Sequence, residues 1–241
     1  SGVVMFYPLV NREKKFIAFW NAKAGCTAVK RWYLNTIGLD YQNLNPHKFL
    51  ASNANYGGTP EYYASRQQID NEYKDYFKFI VGRNPWARLA SYYKNKKIQV
   101  GWKNKTWPID TRIRNMNSEN FTFRELVMFI DRTPDQFLEQ HIRSQTSDLN
   151  GIVFNRLVRL ENFKTDMTHI CNLLDIKERN FENTNKNTLT SGGQLCCDRT
   201  PSEFNEEFMP SYHYFYDDEL KEIVGNKFKS DVDFFKYKFE D

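Results

Sequence analysis

Short apolar runs alternate along this chain with longer stretches of helical period. Residues 16–20 (FIAFW) and 77–81 (FKFIV) are compact runs of strand-forming residues, the pattern of strands buried on both faces. Each run ends in a turn signal and then gives way to apolar residues at helical spacing. After the first comes a small-residue turn, and from Thr27, which can cap, Val29, Trp32, Tyr33 and Ile37 mark one helix face. After the second, Gly82 breaks the run, and Asn84 followed by Pro85 supplies a cap and a proline at the first helical position. Residues 152–160 predict a further strand. Residues 162–174 predict a helix with Phe163, Met167, Ile170, Cys171 and Leu174 inward.

Other elements follow from caps and spacing. Thr122 with Glu125 forms a capping box that opens a helix to Ile130. Thr133 and Pro134 predict a helix carrying Phe137, Leu138 and His141, and Thr59 with Pro60 another through about Tyr73. The tail, 214–239, predicts two helical pieces packed through Leu220, Ile223, Val224, Phe228, Phe234 and Phe235. Residues 3–10 read as a lead-in strand or arm, 38–50 as an irregular link containing His47, and 53–60 as a turn. The polar stretches 99–120 and 182–200 read as long loops. Strand–helix alternation without repeats or linkers predicts an α/β fold, and 241 residues predict one domain over 1–241.

The two leading strand–turn–helix units carry candidate chemistry. A strand, a tight turn of small residues and a helix N-terminus make an anion cradle, because the first-turn amides are unpaired and the dipole is positive there. The turn is not a Walker A loop, since Lys23 precedes Gly25 and Thr27 instead of standing beside a terminal Ser or Thr. Taken alone, this stretch also fits an ordinary βα unit. In the second unit Arg83 sits at the carboxyl end of a strand, where open α/β sheets bind ligands, and Ser91 lies two turns into the next helix. Arg83 and Ser91 can grip a phosphate together, whereas Arg83 alone would as readily pair with a local carboxylate.

Together the stretches KAGCTAVKR (23–31) and RNPWARLAS (83–91) resemble the paired 5′-phosphosulfate and 3′-phosphate elements of sulfotransferases that use 3′-phosphoadenosine 5′-phosphosulfate (PAPS). The resemblance is to the carbohydrate group, which includes the chondroitin, HNK-1 and heparan 2-O enzymes. Residues 122–130 and 157–163 are similar to further segments of that family, so the likeness runs in order from about Phe16 to Tyr237. It implies a P-loop-NTPase-like three-layer fold with a central, mainly parallel sheet flanked by helices. It also implies PAPS as donor, its bisphosphate product PAP, and a small-molecule or glycan acceptor.

On that resemblance, Lys23 would stabilise the leaving phosphate while Ala24, Gly25, Cys26, Thr27 and Ala28 hold the 5′-phosphate. Arg83 and Ser91 would read the 3′-phosphate. His47 is the candidate base, since an imidazole can take the acceptor's proton near neutrality. His141 is its rival, and His169 and His213 read as packing or surface residues. Lys30 and Arg31 read as helix-surface charges, Arg88 as a helper or a surface ion pair, and Trp86 and Tyr92 as core. Asn187 and Thr188 faintly resemble a nucleotide-closing segment, although no arginine follows clearly. Trp102, Lys103, Lys105, Trp107, Arg112 and Arg114 suit a hydroxyl-bearing acceptor as well as they suit a solvated loop.

Composition narrows the alternatives. Lys and Arg number 34 against 30 Asp and Glu, a net charge of +4, too mild to argue for nucleic acid. No stretch reaches the length of a membrane span, and no metal-binding spacing or metal-holding carboxylate strand is evident. The 4 cysteines form no disulfide framework, which points to a reducing compartment. These features predict a soluble enzyme of a bacterial-type cytoplasm, the alternative being a Golgi-lumen catalytic domain without its anchor. Two rival functions remain open at this point: an ATP-dependent kinase on a P-loop-like fold, and a non-catalytic nucleotide-binding or interaction protein.

Overall fold

The computed structural model describes residues 8–39, 45–52, 61–95, 121–177, 181, 194–205 and 209–241. The features expected at 3–7, 53–60, 99–120 and 182–193, with the acceptor and closing candidates they contain, lie outside the described residues. In chain order the elements are β1 (Leu9–Asn11), β2 (Phe16–Trp20), α1 (Cys26–Thr36), α2 (Pro46–Ser52), α3 (Arg66–Asp70), β3 (Phe77–Gly82), α4 (Pro85–Tyr93), α5 (Phe123–Arg132), β4 (Arg156–Arg159), α6 (Phe163–Leu173), α7 (Asp218–Lys227) and α8 (Lys229–Phe235). They fall into two compact units, Ser1–Gly82 with Asp148–Thr184 and Arg83–Ser147 with Asn185–Asp241. Among the described residues no helix is long and apolar enough to cross a membrane, and the four cysteines are free thiols.

The first unit holds the sheet, in the order β1-β2-β3-β4. β1 runs antiparallel to β2, whereas β2, β3 and β4 are parallel, with Trp20 opposite Val81 and Val81 opposite Val158. This is the α/β class expected from the sequence, a mainly parallel sheet flanked by helices. Strand alternation sends Phe16, Ala18, Phe79, Val81 and Val158 into one cluster with Val29, Trp32 and Tyr33 of α1 and Phe163, Met167, Ile170 and Cys171 of α6. The Trp32 ring lies 5.3 Å from Phe16 and 5.8 Å from Phe79. Each such buried ring contributes about 1.5–3 kcal/mol, enough to fix how α1 lies on the sheet.

The second unit is helical. Asn84 caps α4 by accepting from Trp86 N and Ala87 N, and Thr122 with Glu125 forms the expected capping box on α5. Asp217 caps α7 through Leu220 N. Trp86, Leu89, Tyr92 and Tyr93 pack with Phe123, Leu126, Ile130, Phe215, Leu220 and Val224. A side chain at Gly225 would come 3.0 Å from the Trp86 ring, so glycine is what lets α7 approach α4. Trp86 and Tyr92 are therefore core residues, as read from the sequence.

Several expected boundaries moved. The helix expected from Thr59 to Tyr73 is, among the described residues, only α3, started by a Ser65–Gln68 capping box. Before it, Tyr63 bridges to Leu9, and Val10 N donates to Tyr62 O. The strand expected at 152–160 is confined to β4, because the Asn155 side chain takes the Lys78 amide while Phe154 turns to face Phe19 at 4.9 Å. The helix expected from Thr133 through His141 shortens to the 3-10 turn Asp135–Phe137. The backbone turns extended at Leu138, ψ 144, and the turn that follows is held from outside: Arg88 donates to Gln140 O and Arg143 O, and the Asp135 carboxylate accepts from Ser144 N. Finally, Thr27 does not cap α1. Gly25 occupies that position, and Thr27 lies inside the first turn.

Candidate functional site

The loop after β2 is built by three local constraints. Asn21, buried, donates from Nδ2 to Val81 O at 3.2 Å, which ties the loop's entrance to the end of β3. Ala24 N donates to Asn21 O at 3.1 Å and closes the turn. Gly25 then enters α1 at φ +72, where a Cβ would lie 2.4 Å from Leu160 Cδ1. Conformation and space both demand glycine there. Lys23 also holds a left-handed backbone, at φ 64, a conformation that costs a non-glycine residue about 1–2 kcal/mol. Lys15, Asp175 and Lys236 share that conformation, so it does not by itself mark a catalytic residue.

This geometry refines the expected cradle. Of the five positions 24–28, the Ala24 amide is engaged within the turn. The amides of Cys26, Thr27 and Ala28 belong to the first turn of α1 and so have no carbonyl within the helix to bond. They are the groups an anion can bind.

His47, in α2, is brought onto this loop within the same unit. Its Nε2 lies 2.8 Å from Thr27 Oγ1 and 4.0 Å from Cys26 Sγ, and its Nδ1 lies 3.1 Å from Lys30 Nζ. Lys30 departs most from the sequence reading. It is buried, not a surface charge, and its Nζ stands 3.8 Å over the Trp20 ring. Burial pulls its ammonium down from 10.5 to about 8, partly opposed by the charge of Cys26. A protonated Lys30 can only donate, so Nδ1 then accepts and the ring proton sits on Nε2, facing Thr27. A neutral Lys30 permits the reverse, with Nε2 accepting from the Thr27 hydroxyl. The protonation of Lys30 and the tautomer of His47 are thus linked through 3.1 Å.

The second unit carries the other candidate residues. Arg83 follows Gly82 directly, and its backbone is held by Gln145. Arg83 and Ser91 are both half-buried. Lys94, one turn beyond Ser91, is lowered to about 8 by burial and then by repulsion from Arg83, and its Nζ donates to Pro210 O. Arg88 is no surface residue. It is buried, satisfied by the Gln140 and Arg143 carbonyls, and drawn down to about 10 by burial.

The remaining histidines lie elsewhere. His141 Nδ1 bonds Glu139 Oε2 at 2.6 Å in a turn of the second unit. His169 meets Arg156 in the first unit, and His213 stacks on Tyr212 with Ser211 Oγ at 2.8 Å. Reasoning from sequence missed Lys30, Trp20 and Gln145. For Lys30 a signal existed: it stands three residues after Thr27 and four after Cys26, one turn above the cradle on the same face. A model of the Sulfotransferase family matches residues 8–238. Neither the curated proteins nor the solved structures gave a match.

Proposed function

The chain belongs to the Sulfotransferase family and is an enzyme that transfers sulfate, and from that premise we propose that it takes the sulfuryl group from PAPS and passes it to a hydroxyl or amine acceptor, a small molecule or a glycan, as a single catalytic domain over 1–241. The donor supplies a sulfuryl group on a good leaving phosphate, displaced in line through a loose transition state. The acceptor oxygen or nitrogen bonds to sulfur, the bond from sulfur to the bridging oxygen breaks, and the electron pair stays on that oxygen. The protein must hold the nucleotide, neutralise the leaving charge and receive the acceptor's proton.

Lys23 places its ammonium on the bridging oxygen as charge develops there. The Gly25 to Ala28 segment and the Thr27 hydroxyl hold the 5′-phosphate, and Arg83 with Ser91 holds the 3′-phosphate. His47 receives the proton through Nε2 in the state where Lys30 has given up its own, because a protonated Lys30 keeps the ring hydrogen on Nε2. What supports this assignment above all is the 2.8 Å contact between His47 Nε2 and Thr27 Oγ1, which sets an imidazole at the mouth of the anion cradle. An apo contact of this kind can open when substrate enters.

Thermal denaturation with PAP, ADP or ATP tests the donor. PAP at about a hundredfold its Kd should add about 2.7 kcal/mol of stability without Mg²⁺, and ADP and ATP much less. Transfer from labelled PAPS to a panel of hydroxyl and amine acceptors then identifies the acceptor. Equal stabilisation by PAP and ADP would overturn the assignment of the 3′-phosphate residues. Undiminished transfer by Lys23→Ala would overturn the role of Lys23.

A further inference from the structure

Arg83 is held by more than its place in the chain. Its backbone N–H donates to Gln145 Oε1 at 2.9 Å, and Gln145 Nε2 donates back to Arg83 O at 2.9 Å. One carboxamide thus takes both polar groups of one residue, as a strand partner does in an antiparallel ladder. Gln145 is buried, and its second amide hydrogen goes to Asp231 Oδ2 at 3.2 Å. The carboxamide cannot flip. Reversed, it would set Nε2 against the Arg83 N–H and Oε1 against a carboxylate.

Asp231 is itself fully buried and fixed from several sides. Oδ2 accepts from Gln145 N at 2.9 Å, and Oδ1 accepts from Ser144 Oγ at 2.6 Å, Thr146 N at 3.1 Å and Thr146 Oγ1 at 3.0 Å. Arg88 secures the other end of the same turn through the Gln140 and Arg143 carbonyls. Among the described residues, these bonds of the network reach one candidate ligand, Arg83, and reach it at the backbone. Its output is the backbone of Arg83, and fixing N and O of a residue fixes its Cα–Cβ direction. A bidentate guanidinium–phosphate contact tolerates little error in that direction, since a misplacement of about 1 Å can forfeit most of an oriented interaction.

We propose that Gln145, oriented by Asp231, is the positioning residue that aims Arg83 at the 3′-phosphate and so sets the preference for a 3′-phosphorylated nucleotide. The inference rests on the reading of Arg83 as the 3′-phosphate ligand.

Calorimetric titration of PAP and of adenosine 5′-monophosphate into wild type, Gln145→Leu, Arg83→Ala and the double variant tests it. Gln145→Leu should weaken PAP by about tenfold or more while leaving the monophosphate within about twofold. The double variant should discriminate no worse than Arg83→Ala. Equal loss for both nucleotides, or no loss for either, overturns the inference while Arg83→Ala still abolishes discrimination. If Arg83→Ala keeps discrimination, the reading of Arg83 fails and takes the inference with it. Should Gln145→Leu not fold, Asp231→Asn removes an acceptor behind the carboxamide and should lower the PAP-to-monophosphate ratio in the same sense by a smaller factor. A folded Asp231→Asn with the wild-type ratio overturns the proposal.

Discussion

Lys30 is a charge that the fold would be more stable without, and its replacement by Met measures by how much. Met keeps most of the stem that packs along α1 and removes the ammonium. Burial brings that ammonium from 10.5 to about 8. Each tenfold change in proton affinity is worth about 1.4 kcal/mol, so keeping Lys30 charged in the folded protein costs at most about 3–4 kcal/mol at neutral pH. Part of this is returned. The Trp20 ring at 3.8 Å gives about 1–2 kcal/mol in a desolvated setting, and the bond to His47 Nδ1 at 3.1 Å about 1 kcal/mol.

The pH dependence isolates the charge from the contacts. Between pH about 8 and 10.5 the unfolded chain still carries the Lys30 proton that the folded chain has released. The unfolded state then binds more protons, so wild-type stability rises with pH across that window. The gain is complete above 10.5 and is lost as pH falls through about 8. Lys30→Met lacks this term. Other lysines, including Lys94, titrate in both proteins and cancel in the difference. Urea unfolding of the two proteins in parallel, from about pH 7 to about pH 10.5, should show wild type gaining about 2–3 kcal/mol on the variant. Parallel curves, or a variant that gains on wild type, would refute the claim that Lys30 is buried as an ammonium.

Three further outcomes follow from other residues. Lys23→Ala should lower turnover by about a hundredfold or more with PAP affinity nearly unchanged, and Lys23→Gly should lose as much activity while gaining about 1 kcal/mol of stability by relieving the left-handed backbone, read by steady-state kinetics and chemical denaturation. Gly25→Ala should destabilise by about 2 kcal/mol or more, and made in a Leu160→Ala background it should cost less by the part due to the collision with Leu160 while keeping the part due to φ +72, as read from a double-mutant cycle in chemical denaturation. Arg124 bonds Asp198 at 2.6 Å and Glu219 at 2.9 Å and also pairs with Asp217. Arg124→Met should cost about 1 kcal/mol at neutral pH after allowance for solvent exposure, and the difference should vanish on acidification, because Arg124 holds Asp198 below its usual 3.8 and that benefit disappears once the carboxylate is protonated.

How much of this was legible in the sequence depended on the range of the interaction. β2 and β3 were readable because a strand covered on both faces is apolar at nearly every position, whatever covers it; the one exception, Lys78 near the start of β3, turns its ammonium to the Lys74 and Tyr76 carbonyls. The caps at Asn84 and Thr122 were readable because they act within three residues. The stretch after Pro134 was misread for the opposite reason. Its helical spacing is real, but Arg88 takes the carbonyls of Gln140 and Arg143 from a position more than fifty residues away. Two charged-group bonds of about 1.5–3 kcal/mol each outweigh the few tenths by which propensity favours a further helical turn. Lys30 was misread similarly: a lysine followed by Arg31 says surface, although Tyr33 and Leu34 one turn on are buried, and only the fold brings Trp20 and His47 to it.

The misreading of Lys30 falls at the candidate site, and that follows from what the site must do. An anion cradle needs unpaired amides, a cation and a base, none of which a fold selected for stability alone would keep half-buried. The first unit carries this burden as a left-handed Lys23 and a desolvated Lys30, whose cost Trp20 and His47 return only in part. The second unit holds its candidate differently, with a buried carboxylate whose bonds are satisfied and whose one consequence for Arg83 is a fixed backbone. Substitutions that raise stability should therefore concentrate around Lys23 and Lys30 and reduce transfer, whereas around Asp231 stability and nucleotide discrimination should fall together.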